Sequence, residues 1–402
     1  MVTTSSSYFD DRHRAYPGEG LDGVVRIAAK GYYGTGTLLY DGRAILTAAH
    51  VVDGATAKDI EVHFETTGGS QTIAASAVSL LPEYDPVEIN DDLALVWLNT
   101  PAPIEAERYD LYRTSDETGR PMLLAGYGQV GSGAFGTFDA YNGPPMRLMA
   151  WNRFDADMHD LKTKLGPGMA WTHAPGTQLA ADFDNGLFAQ DALGRLVGAT
   201  DLGQGLNEGL IAPGDSGGPA FIDGKVAGVA SYITSLEYGS IAPDVDDTLN
   251  SSFGEIGAWQ RVSHDQAWID QSLRAKYPDA PSRPEVVEKS VQEGDTATAY
   301  AYFLVQFTGV RANPEDWLSV DYATRDGTAW AGTDYLAVSG TLILYPGENH
   351  AVIPVEIIGD DLYEMDEFFY LDISNPVGGI FGEGVSQLSA MRTIVNDDVW
   401  WG

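Results

Sequence analysis

Between residues 22 and 100 the apolar residues arrive in short runs, GVVRIAAKGYYG, GTLLYDG, RAILTAAHVVDG, IEVHFETTGG and LALVWLNTPAP, each broken by turn-forming residues. Runs of this length and spacing read as the strands of an all-β sandwich or barrel. The habit returns after residue 283 in AYFLVQFTG, LSVDYAT, TLILYPG, HAVIPVEII and FFYLDIS. A helical pattern appears near residue 264, in HDQAWIDQSLRAKY, where Ala267, Trp268, Leu273 and Ala275 lie among polar residues. Pro278, Pro281 and Pro284 follow, so YPDAPSRP reads as a linker.

A chain of 402 residues is too long for one ordinary core, which predicts two domains. The 23 basic and 58 acidic side chains leave a net charge of −35, which argues against nucleic acid or an anionic membrane as partner. The charge is uneven. Residues 283–402 carry 5 basic and 20 acidic residues, a net of −15 in 120 residues, against −20 over the first 282. Cysteine is absent, so disulfides, thiol catalysis and cysteine metal sites are excluded. No apolar run approaches the roughly 20 residues of a membrane helix. The N-terminal MVTTSSSYFDDRHR lacks the apolar core of a signal peptide. The expectation is a monomeric secreted or cell-surface protein whose export signal has been removed.

One stretch is neither a good strand nor a helix: IAPGDSGGPAF, residues 211–221. A serine hydroxyl is a weak nucleophile that needs an adjacent base and a third group to orient that base. Flanking glycines permit the tight turn that aims successive N–H groups at one point. Alone, Ser-Gly-Gly reads as a turn between strands. The context changes that reading: ILTAAHVV places His50 at the end of one apolar segment, and NDDLALVWL places Asp92 at the start of another. His, Asp, Ser is one of the chain orders in which a hydrolytic triad occurs.

RAILTAAHVV, DLALVWL and APGDSGGPAF, in that order, resemble the three signature segments of the trypsin-like, chymotrypsin-fold serine proteases. GYYGTGTLL, LLAGYGQVGSG, LAADFDNG and FGEIGAWQRVSHDQAWI add agreement with bacterial members. The resemblance implies a double β-barrel with a C-terminal helix, and a secreted serine endopeptidase acting on protein or peptide substrates through an acyl-enzyme with no cofactor in the chemistry. Ser216 would be the nucleophile, His50 the general base, and Asp92 the residue that orients the imidazole. Asp91, one place removed from the motif, is expected to be a solvated turn residue, and the other six histidines surface or satisfied core residues. The backbone N–H groups of Gly214 and Ser216 would form the oxyanion hole. Ser231, Tyr232 and Ile233 match the segment that pairs with an extended substrate. Leu210 takes the pocket base, with Ile233 and Gly257 beside it, and implies a shallow apolar pocket for small or medium P1 side chains. Two departures stand out. Val51 follows the histidine where animal enzymes have cysteine. Asp215, the activation-linked residue, is present, yet no Ile-Val-Gly-Gly precedes Gly23, so either cleavage near Arg12 or Arg14 supplies a partner or the pocket is ordered in another way.

Residues 285–399 resemble a Calx-beta domain, an immunoglobulin-like β-sandwich, through DGTAWAGTDY, SGTLILYPGE, DEFF, ISNP and the closing NDD. Carboxylates gathered in loops without His or Cys suit a hard, oxygen-liganded cation such as calcium. The resemblance maps the calcium ligands onto Glu293, Asp334, Asp360, Glu364, Asp397 and Asp398. Gly359 stands where the exchanger domain has another carboxylate. The expected plan is an N-terminal extension (1–21), a protease domain (22–276), a linker (277–284) and a calcium-binding domain (285–399). A competing reading makes the protease domain a latent scaffold in a calcium-dependent surface- or matrix-binding protein.

Overall fold

The computed structural model describes residues 2–138, 143–296 and 298–398. Its described residues fall into two compact units, 2–39 with 43–268, and 40–42 with 269–398.

In the first unit the strands Val24–Ala29, Tyr32–Leu38, Ala44–Thr47, Ala94–Leu98, Gly69–Leu80 and Ile60–Thr66 pair in that order and close into a barrel. Closure follows from the alternation. Val25 and Ile27, and Val62 and Phe64, lie two apart on neighbouring strands and turn into one core with Leu38, Ile45 and Val96. Thr47 at the end of one strand is paired with Ala94 at the start of another. That register brings the residues just after Thr47 and just before Ala94 to the same rim.

The second barrel is a seven-stranded sheet in the order Leu148–Arg153, Pro121–Gly126, Pro219–Ile222, Lys225–Thr234, Ile256–Arg261, Gln178–Asp182, Ala156–Asp157. Its two outermost strands are halves of one bent stretch of chain interrupted at Phe154 and Asp155. Phe154 N–H still bonds toward the first side, to Arg120 O, and Asp155 N–H toward the last, to Ala180 O. The bend therefore joins the sheet's ends. Leu124, Leu148, Phe154, Leu179, Ala220 and Trp259 fill the interior.

Residues 2–4, expected to belong to an extension, are instead the strand Val2–Thr4, fully buried and antiparallel to Gly209–Ile211. Three residues are too few to show an alternation, so pairing rather than pattern defines this strand. The helix expected near residue 264 runs Val262–Arg274. The boundary between the compact units falls within it, at residues 268 and 269, since compactness follows packing and not the turn composition by which a linker is read.

The second unit has a five-stranded sheet, Ser290–Gln292, Gln387–Val395, Glu367–Val377, Leu318–Asp326, Ser339–Leu344, and a two-stranded sheet, Thr298–Gln306 with His350–Ile358. Phe303, Leu342, Ile353, Val355, Phe369 and Ile394 share its core. Val399, the last residue of the expected domain, lies outside the described residues.

Candidate active site and acidic clusters

His50 sits on the short helix Ala49–Val52, directly after the strand that ends at Thr47, and Asp92 precedes the strand that begins at Ala94. The barrel register therefore makes them neighbours. His50 Nδ1 lies 2.7 Å from Asp92 Oδ2, and His50 N–H donates to Asp92 Oδ1 at 2.9 Å. Asp92 is fully buried. The Ser231 hydroxyl donates to the same Oδ2. Burial works against both charges, lowering the imidazole and raising the carboxyl. The hydrogen bonds and charges within the pair prevail, so His50 is held above its ordinary pKa and Asp92 below its own. Asp91, at φ 52°, turns elsewhere and lies with His264 and Asp265.

Ser216 lies in the loop between Gly209–Ile211 and Pro219–Ile222 and is tied to the first barrel. Thr35 N–H donates to Ser216 O at 2.8 Å, and Thr35 Oγ1 to Gly214 O at 2.9 Å. Gly34 has no room for a side chain, because a Cβ there would lie 2.8 Å from Val51 and 3.0 Å from Ser216 O. The serine segment thus lies against the chain that carries His50. No hydrogen bond joins Ser216 Oγ to His50 among the described residues, and such bonds are commonly long before substrate binds.

The loop is folded back on itself. Gly218 N–H donates to Asp215 O and Asp215 N–H to Ala212 O, with Gly214 at φ 95° and Gly217 at φ 85°. Among the described residues no acceptor is found for the N–H of Gly214 or of Ser216. The buried Asp215 carboxylate accepts from Gly128 N–H and from Ala212 N–H, each at 2.8 Å. Burial pushes its pKa up to about 6.

Leu210, Ile233 and Gly257 come together. Ile233 pairs with Gly257 across the sheet, and a Cβ on Gly257 would lie 2.7 Å from Trp259 and 2.9 Å from Leu210 Cδ1. Leu210 and Trp259 are both fully buried. Pairing of Lys225–Thr234 with Pro219–Ile222 stops at Val229, so among the described residues Tyr232 and Ile233, after a bulge at Ser231, carry strand partners on one edge alone. The Tyr232 side chain points away from that edge. Its hydroxyl meets His173 Nε2 at 2.9 Å and Gln178 Oε1 at 3.0 Å, and accepts from Trp171 Nε1 at 3.1 Å. The sequence pointed to the backbone of residues 231–233. It did not show that the Ser231 hydroxyl would reach Asp92, which depends on how two barrels meet.

In the second unit Ser290–Gln292 runs parallel to Gln387–Val395, with Gln292 opposite Val395. The residues that follow each strand therefore meet. Glu293, Asp397 and Asp398 form one cluster, with oxygens within 4.8 Å of one another. Asp334 and Glu364 form a second with Glu367, and Asp295, Asp361 and Asp398 a third. Asp360 stands outside these groups, and its Oδ1 accepts from Leu362 N–H at 2.7 Å. Asp295, Asp361 and Glu367 lie outside the expected ligand set; Asp295 and Asp361 are brought in by loop conformation, and Glu367 by its place at the start of the strand Glu367–Val377. Burial pushes Glu293 up to about 7, with Asp360, Glu364, Asp398 and Asp334 adding repulsion.

Residues 11–141 match the family described as Trypsin, a span that includes His50 and Asp92 and ends before Ser216. Residues 286–398 match the Calx-beta domain. The chain is 41% identical over 70 residues to the sodium/calcium exchanger Calx of Drosophila melanogaster, covering 17% of this chain and 7% of that protein. It is 40% identical over 92 residues to human sodium/calcium exchanger 2, covering 20% and 10%. The chain thus spans a tenth or less of these relatives. Among solved structures, neuropsin, a serine protease of mouse brain, aligns at 17% identity and a TM-score of 0.47, over 65% of this chain and 98% of that one. The scabies mite inactivated protease paralogue S-D1 aligns at 18% and 0.47, over 66% and 98%. The chain joins a trypsin-like serine protease domain to a C-terminal Calx-beta domain.

Proposed function

We propose that the first unit is a working serine endopeptidase and that the second binds calcium. The observation that carries the first part is the buried Asp92 holding the imidazole of His50 at 2.7 Å, on the rim against which the Ser216 loop is bonded. In this reading Ser216 Oγ attacks the substrate carbonyl carbon while its proton passes to His50 Nε2. Asp92 stabilises the resulting imidazolium without taking the proton. The tetrahedral oxyanion accepts from Gly214 N–H and Ser216 N–H, which are left without protein acceptors. Collapse breaks the C–N bond as His50 returns its proton to the leaving amine. Water, deprotonated by His50, then cleaves the acyl-enzyme.

The one-sided edge at Tyr232 and Ile233 supports binding of substrate as an added strand. The buried apolar Leu210 and Trp259 beside Gly257 support small or medium apolar P1 side chains, Leu210 being no partner for Lys or Arg. The test is labelling with a fluorophosphonate probe. Wild type is expected to label and Ser216→Ala is not; folded wild type that stays unlabelled sinks the reading in favour of a latent scaffold.

For the second unit, the oxygen-only clusters at one end of the sandwich and the match to the Calx-beta domain support calcium. Glu293, Asp397 and Asp398 are the central ligands proposed, with Asp334, Asp360 and Glu364 around them. An extracellular setting belongs to the same proposal, since modules of modest affinity fill there.

A further inference from the structure

A separate group of carboxylates lies inside the first unit, away from the triad. Asp182 ends the strand Gln178–Asp182, Asp184 follows it, Asp191 precedes the helix Ala192–Val197, and Glu208 precedes the strand Gly209–Ile211. Their exposures are 1%, 3%, 0% and 1%. Oxygens of Asp182, Asp184 and Asp191 all lie within 4.8 Å of one another. Gly203 joins Glu208 to the group, since a Cβ there would be 2.7 Å from Asp184 Cβ and 2.9 Å from Glu208 Oε2.

One oxygen on each of Asp182, Asp191 and Glu208 is accounted for. Asp182 Oδ2 accepts from Leu193 N–H and Asp191 Oδ1 from Gly194 N–H, each at 2.7 Å, and Glu208 Oε2 accepts from Gln204 N–H. The other oxygen of each, Asp182 Oδ1, Asp191 Oδ2 and Glu208 Oε1, is buried with no hydrogen-bond partner, as is Asp184 Oδ1. Asp155 and Asp201 stand nearby and share Arg153, at 2.8 and 3.2 Å. Among the described residues, the ion pairs of that guanidinium go to Asp155 and Asp201 and to none of the four buried carboxyls. A buried acceptor without a donor costs about 1–3 kcal/mol, and more when charged. Four together are an arrangement that calls for a positive charge among them.

We infer that Asp182, Asp184, Asp191 and Glu208 form a divalent-cation site, best suited to calcium, inside the protease domain. The donors are oxygen alone, which selects a hard cation. Calcium binds oxygen at about 2.3–2.6 Å, so oxygens sharing one ion stand up to roughly 5 Å apart, the spread found among the three aspartates, with Glu208 beside them. The ion would clip the loop 183–208 between the strands it connects. Asn152 Nδ2 already bridges those strands, donating to Asp182 O and Gly209 O at 2.9 Å each. Glu208 is two residues before Leu210 and eight before Ser216, so the ion would also brace the segment that carries Leu210 and leads to the serine.

The test uses the full chain with Ser216→Ala, which prevents self-digestion and makes the outcome independent of whether the protein is a protease. Glu293→Gln, Asp334→Asn, Asp397→Asn and Asp398→Asn are added to silence the second unit. Calorimetric titration with calcium is expected to show one ion still bound, with thermal unfolding of the first unit raised by roughly 5 °C at a hundredfold excess over Kd. Adding Asp184→Asn and Asp191→Asn is expected to abolish both. If that variant fails to fold, Glu208→Gln, which keeps the shape, is expected to weaken calcium at least tenfold. A folded silenced chain that binds no calcium, or binding unchanged by these substitutions, overturns the site and leaves a cluster of protonated carboxyls.

Discussion

Asp92 receives three hydrogen bonds, two from His50 and one from Ser231, and its own side chain is shut off from solvent. Replacing it by asparagine keeps the shape but offers an amide where the imidazole N–H needs an acceptor. Asp92→Asn is therefore expected to lower kcat by on the order of 10⁴ with the fold intact, measured as peptide turnover beside a circular dichroism spectrum. The pH profile carries the same information with a sign. The base must be neutral, and Asp92 holds His50 above its ordinary 6.5, so the acid limb of kcat/KM is expected above pH 6.5 in wild type and lower in Asp92→Asn. A limb that does not move between the two would show that Asp92 does not set the imidazole's charge. At this scale the pairing of His50 with Asp92 was legible, because each sits in a segment whose residue types suggest it. The Ser231 hydroxyl was not, since nothing local distinguishes a serine that meets a buried carboxylate 139 positions away from one that meets water.

The loop 212–218 shows what an element adds to its residues. A Cβ on Gly217 would stand 2.0 Å from Thr47 Oγ1 and 2.2 Å from Thr35 O, with φ at 85°. The threonine hydroxyl can turn away, but the strand carbonyl cannot move without loosening the barrel. Gly217→Ala is accordingly expected to cost about 1–3 kcal/mol or more in denaturant unfolding and to abolish turnover. Asp215→Asn tests the same loop from the other side. Its carboxylate accepts two backbone N–H bonds, and an amide oxygen accepts at one of those places while its NH₂ opposes the other. If Asp215 holds Gly214 and Ser216 in place as donors, kcat is expected to fall on the order of 10²–10³ while KM changes little. A rise in KM alone would instead assign Asp215 to the pocket. The strands flanking this loop were only partly readable. Longer strands such as Ile60–Thr66 declare themselves by alternation, whereas Val2–Thr4 and Gly209–Ile211 exist because each supplies the other's partner.

At the scale of the whole molecule the question is what −35 charges do. The all-β class and the division into two families were legible, because strand spacing and motif survive in any loop conformation. Which carboxylates come within 4.8 Å of one another was not: Asp360 lies outside the tightest groups while still repelling Glu293, and Asp295, Asp361 and Glu367 fall inside them. Diffuse repulsion and specific clusters respond differently to cations, and this separates them. Sodium screens all charges, with a Debye length falling from about 30 Å at 0.01 M to about 8 Å at 0.15 M, so unfolding temperature is expected to rise over that range in any variant. Calcium at about 1 mM adds only about 3 mM of ionic strength, negligible against 0.15 M sodium chloride for screening. A further rise of several degrees on adding it would therefore come from ions held in sites. In Glu293→Gln with Asp398→Asn that rise is expected to shrink for the transition of the second unit, resolved by calorimetry, while the response to sodium remains. A calcium response equal to that of sodium at matched ionic strength would mean that the acidic loops are a solvated rim and that the clusters hold nothing.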